Sequence, residues 1–184
     1  GERTQEATHA AIAQSRNRLV TAADPVAGDP NGDVTIVEFF DTRCPYCRRL
    51  EPVMDSFLTQ DRKVRLVYKD LPILGPGSVL GTKALLAAQR QGAYDKMRDA
   101  VMKLPPDTTI AQIEAAAKAL GLDWPRMARD MEDPAVQARI DANLKLARDL
   151  GIQGTPALVI GDDLIPGALD LPQLRKAVAD ARHG

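Results

Sequence analysis

Between residues 34 and 58 the hydrophobic period changes from that of a strand to that of a helix, and the change falls on the only two cysteines of the chain. Val34-Thr35-Ile36-Val37-Glu38-Phe39-Phe40 is rich in β-branched and aromatic side chains and predicts a buried strand. Leu50, Val53, Met54, Phe57 and Leu58 recur at spacings of three and four and predict a helix. Cys44-Pro45-Tyr46-Cys47 therefore sits where a strand turns into a helix.

That junction has its own chemistry. The first cysteine falls at or near a helix N-terminus, where unpaired backbone N–H groups and the macrodipole favour negative charge. A thiolate is the reactive form of cysteine, and such a location lowers a thiol pKa from about 8.5 toward roughly 3.5–7.5. Cys47 lies on the same helical face, with Cβ atoms about 5–6 Å apart before local adjustment, and a disulfide needs about 3.5–4.5 Å. Pro45 suits the first turn, where its missing N–H costs nothing. Cys44 is read as the attacking thiolate and Cys47 as the resolving partner.

Other readings of the pair compete. A structural disulfide across four residues closes almost no loop and adds little stability. A structural zinc site needs four ligands, and beyond the pair the chain offers only His9 and His183. Two buried, inert thiols are a third reading. A Cu(I) site at Cys44 and Cys47 is a fourth, since soft thiolates suit that ion and no turnover would be required.

Composition excludes some classes. Lysine and arginine number 24 against 25 acids, for a net charge of −1, and the aromatics are one Trp, three Tyr and three Phe. A nucleic-acid partner would call for a basic face, so none is expected. No apolar run approaches the ~18 residues of a membrane span. Gly1 rather than Met opens the chain, which fits a trimmed sequence, so the missing secretory signal says nothing about location.

Residues 3–20 are helix-compatible but weakly amphipathic; the segment packs on its own domain or serves as an oligomerisation arm, with His9 a solvated surface residue. The Asp, Pro and Gly cluster from Thr21 to Asp33 predicts a loop. Pro52 should kink the helix after the cysteines. Arg48 and Arg49 either favour the thiolate or face solvent. Val64–Tyr68 alternates as a second strand, and Leu71–Gly77 breaks regular structure.

From Ser78 to Leu150 the period is helical throughout. One helix ends at Gly92, and a second runs from Ala93 to Lys103. Thr109 with Gln112 makes a capping box opening a third, which closes at Gly121. A short turn is expected around Trp124–Met127, then a long helix from Pro134 with Val136, Ile140, Leu144, Ala147 and Leu150 on one stripe. Strand signals return at Ala157–Ile160, followed by a Gly161-Asp162-Asp163 turn, a short Leu164-Ile165 run that fits a hairpin, and a final helix capped by Asp170. A sheet interrupted by one helical block predicts an α/β domain with a helical insertion.

At this point the chain resembles the thioredoxin superfamily, and more closely its DsbA branch. The matching features are Glu38-Phe39-Phe40, Cys44-Pro45-Tyr46-Cys47, Pro52, the helical insertion and Gly154-Thr155-Pro156. Finer motifs resemble the suppressor-of-copper-sensitivity C (ScsC) subgroup: Gly32–Asp41, Leu71-Pro72-Ile73-Leu74-Gly75-Pro76, Gln91-Gly92-Ala93-Tyr94 and Leu150–Pro156. The resemblance implies a thioredoxin fold with an inserted all-helical domain. It divides the chain into an N-terminal helical segment (1–20), a thioredoxin domain (21–76 and 151–184) and a helical insertion domain (77–150).

The resemblance also implies a function, a protein thiol–disulfide oxidoreductase or isomerase of the periplasm or cell envelope, linked to copper stress. Its substrates would be envelope proteins carrying thiols or disulfides. A membrane redox partner, DsbB-like or DsbD/ScsB-like, would reset the pair, and a homo-oligomer is compatible with the family. No cofactor or metal is required beyond the redox-active Cys44–Cys47 disulfide. Three further residues enter the site by resemblance. Pro156 matches the family's cis-proline beside the cysteines, Thr155 would tune their redox poise, and Glu38 matches the buried acid beneath them. Glu38 is expected to have a raised pKa from desolvation and to relay a proton for Cys47, against the alternative of an ion-paired or solvated glutamate. Tyr46 cannot supply the cationic imidazole of a histidine, which implies a milder oxidant. Cys-Pro-Tyr-Cys is also the glutaredoxin dipeptide, but the helical insertion argues against that family.

Overall fold

In the computed structural model, which describes residues 2–184, two helices come first, α1 (Glu2–Gln14) and α2 (Arg16–Leu19), separated at Ser15. The chain then lays down β1 (Val26–Gly28), β2 (Val34–Phe40), α3 (Pro45–Gln60) and β3 (Val64–Asp70). Five helices follow without a strand: α4 (Pro76–Gln89), α5 (Tyr94–Val101), α6 (Ile110–Ala119), α7 (Trp124–Met131) and α8 (Pro134–Asp149). A hairpin of β4 (Ala157–Ile160) and β5 (Asp163–Pro166) and the helix α9 (Leu171–His183) complete it.

The five strands form one mixed sheet in the order β1-β3-β2-β4-β5. β2 and β3 run parallel, pairing Val34 with Val64 through Phe40 with Asp70, and the other neighbours are antiparallel. This is a thioredoxin-like sheet with the helical insertion between β3 and β4. β2 lies at its centre and six of its seven residues are buried, because helices cover both faces.

Alternation along β2 sorts its side chains into two cores. Ile36 and Phe40 pack with Leu50, Phe57, Leu174 and the insertion's apolar side chains. Val37 and Phe39 pack on the opposite face with Ile12, Leu19, Leu146 and Leu150. The N-terminal segment is thus seated on the sheet through Ile12 and Leu19.

Two expectations need correction. The stretch from Thr21 to Asp33 is not all loop, since β1 pairs there with β3 as an edge strand. Three residues are too few to show alternation, and Gly28 (φ +72°) is needed because a Cβ there would lie 2.4 Å from the Val64 carbonyl oxygen. The stretch around Trp124 is not a turn but a full helix, α7, capped by Asp123 accepting from the Arg126 N–H and burying Met127 and Met131. His9 keeps the surface position expected of it, and there its Nε2 meets Asp163 Oδ1 at 2.9 Å and joins α1 to β5. The two capping boxes, Thr109 with Gln112 and Asp170 with Gln173, form as the sequence predicts.

Candidate active site at the start of α3

Cys44 is the N-cap of α3, with Pro45 in the first turn. Its Sγ accepts from the Cys47 N–H at 3.4 Å, so the sulfur occupies the place a capping oxygen usually takes. Across the site lies the loop before β4, where the Thr155–Pro156 peptide bond is cis. The Cys44 thiol donates to the Thr155 carbonyl oxygen at 3.3 Å. Cys47 is fully buried while Cys44 keeps 4 % exposure, so Cys44 is the sulfur that can be reached. Both are free thiols. Burial pushes the Cys47 thiol well up, against hydrogen bonding with the Asp41 backbone and the Thr155 side chain. Pro45 and Tyr46 between them are exposed, and the Arg49 guanidinium lies 4.8 Å over the Tyr46 ring.

The loop carrying Cys44 is fixed from below by Asp41. This buried carboxylate accepts from the N–H groups of Arg43 (2.9 Å), Ile73 (2.8 Å) and Leu74 (3.1 Å) and from the Ser78 hydroxyl (2.7 Å). Four donors on one buried carboxylate satisfy its charge without a cation. From the side, two arginines hold the insertion. Arg48 donates to the carbonyls of Thr42 (2.8 Å), Leu104 (2.5 Å) and Val101 (3.4 Å), and Arg43 to those of Pro106 and Leu74. Arg48, half-buried, therefore spends its guanidinium on main-chain oxygens.

Glu38 lies on β2 with the parity of Ile36 and Phe40, whose core cluster also contains Cys47. It is 1 % exposed, and its Oε2 accepts from Arg98 Nη2 at 3.0 Å. The two alternatives drawn from sequence coincide, for the acid is both buried and ion-paired. Burial raises it more than the Arg98 cation lowers it, from 4.5 to about 7.

Arg98 escaped the sequence reading. It reaches from α5 to Glu38 and, through Nη1, to Glu51 at 2.6 Å, with its guanidinium carbon 4.2 Å from the Phe40 ring centre and 4.0 Å from that of Tyr68. A signal existed, since Arg98 stands four residues after Tyr94 and three before Val101, on the buried stripe of its helix. Asp70 and Tyr94, joined at 2.7 Å beneath the same region, were missed for the same reason: their partners are remote in sequence.

Beside Pro156 a cavity of about 520 Å³ runs along the 150–157 loop, with Thr4 and Thr8 of α1 and Leu164 of β5 on its other side. Among the described residues no group of three or more His, Cys, Asp or Glu is disposed to hold a metal ion. No helix among them is long and apolar enough to cross a membrane.

Comparisons with known proteins agree with this geometry. A model of the DSBA-like thioredoxin domain matches residues 35–179. The chain is similar to a thioredoxin-like oxidoreductase from Silicibacter pomeroyi DSS-3, at 43% identity and TM-score 0.85, covering 89% of this chain and 95% of that one. It is also similar to the catalytic domain of Proteus mirabilis ScsC, at 31% identity and TM-score 0.86, covering 96% and 99%. The Na(+)/H(+) antiporter NhaA 1 of Salinispora arenicola (strain CNS-205) is 29% identical over 163 residues, 88% of this chain. The chain spans only about a quarter of the length of that curated relative.

Proposed function

The chain belongs to the family of DSBA-like thioredoxin domains, thiol–disulfide oxidoreductases that work through a Cys-x-x-Cys pair, and on that premise we propose that it exchanges disulfides with envelope proteins through Cys44 and Cys47. One observation carries this reading. The reachable sulfur is the helix N-cap, 3.3 Å from the Thr155 carbonyl oxygen, with its partner sealed behind it.

In the reducing direction the Cys44 thiolate attacks one sulfur of a substrate disulfide. A Cys44–substrate bond forms, the substrate S–S bond breaks, and the leaving sulfur departs as a thiolate that takes a proton from solvent. Cys47 then loses its proton and attacks Cys44 Sγ, closing the Cys44–Cys47 disulfide and releasing the second substrate thiol. The substrate gains two electrons and the pair loses two. In the oxidising direction the same bonds form and break in reverse order, and a substrate dithiol is closed. Burial keeps Cys47 protonated until it is needed, and Glu38, raised to about 7, suits the task of taking that proton near neutral pH. The carbonyl of Thr155, joined to Pro156 by the cis bond, lies beside the attacking sulfur, which supports assigning the two residues to substrate positioning and redox tuning.

The pair's reduction potential decides between oxidase and isomerase or reductase, and a DsbB-like or DsbD/ScsB-like membrane protein would restore it. Tyr46 brings no cation to the thiolate, which favours a milder oxidant. The likeness to ScsC supports an envelope setting and a role under copper stress. Cys44→Ser is expected to abolish insulin reduction and scrambled-ribonuclease repair, and Cys47→Ser to accumulate mixed disulfides visible on non-reducing gels. Full activity in either variant would refute these roles. Tight stoichiometric Cu(I) uptake with negligible exchange would replace the reading with a copper carrier on the same two thiolates.

A further inference from the structure

The buried acid on the sheet takes its cation from outside the sheet. Arg98 belongs to α5 of the helical insertion, yet it is 2 % exposed and lies against Phe40 and Tyr68 of the central strands. Its two terminal nitrogens go to two different carboxylates, Glu38 on β2 and Glu51 on α3. A guanidinium that only joined two parts of a protein could do so at the rim, where water would satisfy what the protein does not. Here Arg98 Nε and Glu38 Oε1 have no hydrogen-bond partner. Buried ion pairs left partly unsatisfied add little to stability, so the arrangement calls for another reason. The charges around it supply one. Glu38, Tyr68 and Asp70 face Arg98 from the sheet, Glu51 and Asp55 from α3, and Tyr94 and Asp95 from α5. Arg98 is the cation hydrogen-bonded to both Glu38 and Glu51.

We propose that Arg98 is a positioning residue of the exchange reaction, acting through Glu38: it aims that carboxylate and favours its anionic form, so that the helical insertion governs proton acceptance beneath sulfurs that sit on the thioredoxin-like sheet. This rests on the reading that Glu38 handles the Cys47 proton. Without the cation the neutral acid is favoured, and a neutral acid cannot accept a proton.

The resolving step isolates the effect. Cys44 is converted to its mixed disulfide with 2-nitro-5-thiobenzoate, and attack by Cys47 is followed by release of the coloured thiolate as a function of pH. Arg98→Met is expected to move the midpoint of the rate profile upward by about one to three pH units, the range over which a neighbouring arginine holds a carboxyl down. Arg98→Lys keeps a cation and is expected to give a smaller upward shift, because one ammonium cannot fork between two carboxylates. It carries the test should the methionine variant fail to fold. In a Glu38→Gln background neither substitution should move the midpoint further. If the Arg98 variants leave the profile in place while Glu38→Gln moves it, the proposal fails and the Glu38 reading stands. If Glu38→Gln changes nothing, the Glu38 reading itself fails. An Arg98 shift that persists in that background would show that Arg98 does not act through Glu38, and would overturn the proposal.

Discussion

Glu38 is placed so that its burial acts on folding as well as on chemistry. Its carboxyl goes from its ordinary 4.5 to about 7 in the folded chain, desolvation outweighing the Arg98 cation. With the folded value above the unfolded one, its contribution to stability is fully present below about 4.5 and is lost as pH rises through about 7. A shift of this size corresponds to roughly 3 kcal/mol at most. Glu38→Gln is therefore expected to raise the urea midpoint relative to wild type at about pH 8, with the gap closing as pH falls to about 4.5. A gap that stays constant with pH would show that Glu38 ionises normally in the fold. Glu38 itself was legible in the sequence through its match, six residues before Cys44, to the buried acid of the family the chain resembles. Arg98 was not: arginines are common on helices, and the carboxylate that gives this one its meaning lies sixty residues earlier.

Elements were legible where one period ran long enough to be counted. β2 begins and ends where its hydrophobic run does, at Val34 and Phe40, and the boxes at Thr109 and Asp170 mark real helix starts. β1 could not be seen, since three residues held by a neighbouring strand carry no pattern of their own. α7 was hidden by Pro125, which resembles a turn signal but stands within the first turn of a helix. Packing between elements adds a constraint that no period displays. Gly81 of α4 lies against Thr42 in the loop before the cysteines, and a Cβ there would come within 2.4 Å of Thr42 Oγ1. Thr42 is itself buried and has little room to turn away. Gly81→Ala is expected to destabilise the protein by about 1–3 kcal/mol, the usual cost of overpacking. A urea midpoint at or above that of wild type would show that the loop gives way freely.

At the scale of the molecule, residues 2–19 are seated on the sheet rather than held apart from it. Ile12 and Leu19 are consumed in the core with Val37 and Phe39, and Arg16 pairs with Asp162 as His9 does with Asp163. The outward residues of α1 include Thr4, Gln5, Glu6, Ala7, Ala10 and Ala13, too small or polar to bury much apolar area. Light scattering of this chain at micromolar concentration is expected to give the mass of one copy, and a trimeric mass would favour the oligomerisation role for residues 1–20. The insertion is attached to the sulfur-bearing loop by different means. Arg43 and Arg48 grip main-chain oxygens at Val101, Leu104 and Pro106, atoms that every kind of amino acid brings with it. The latch is thus indifferent to spelling on the insertion's side. Relatives can rewrite that stretch at will and stay fastened, provided the backbone keeps its path and the two arginines keep their forks.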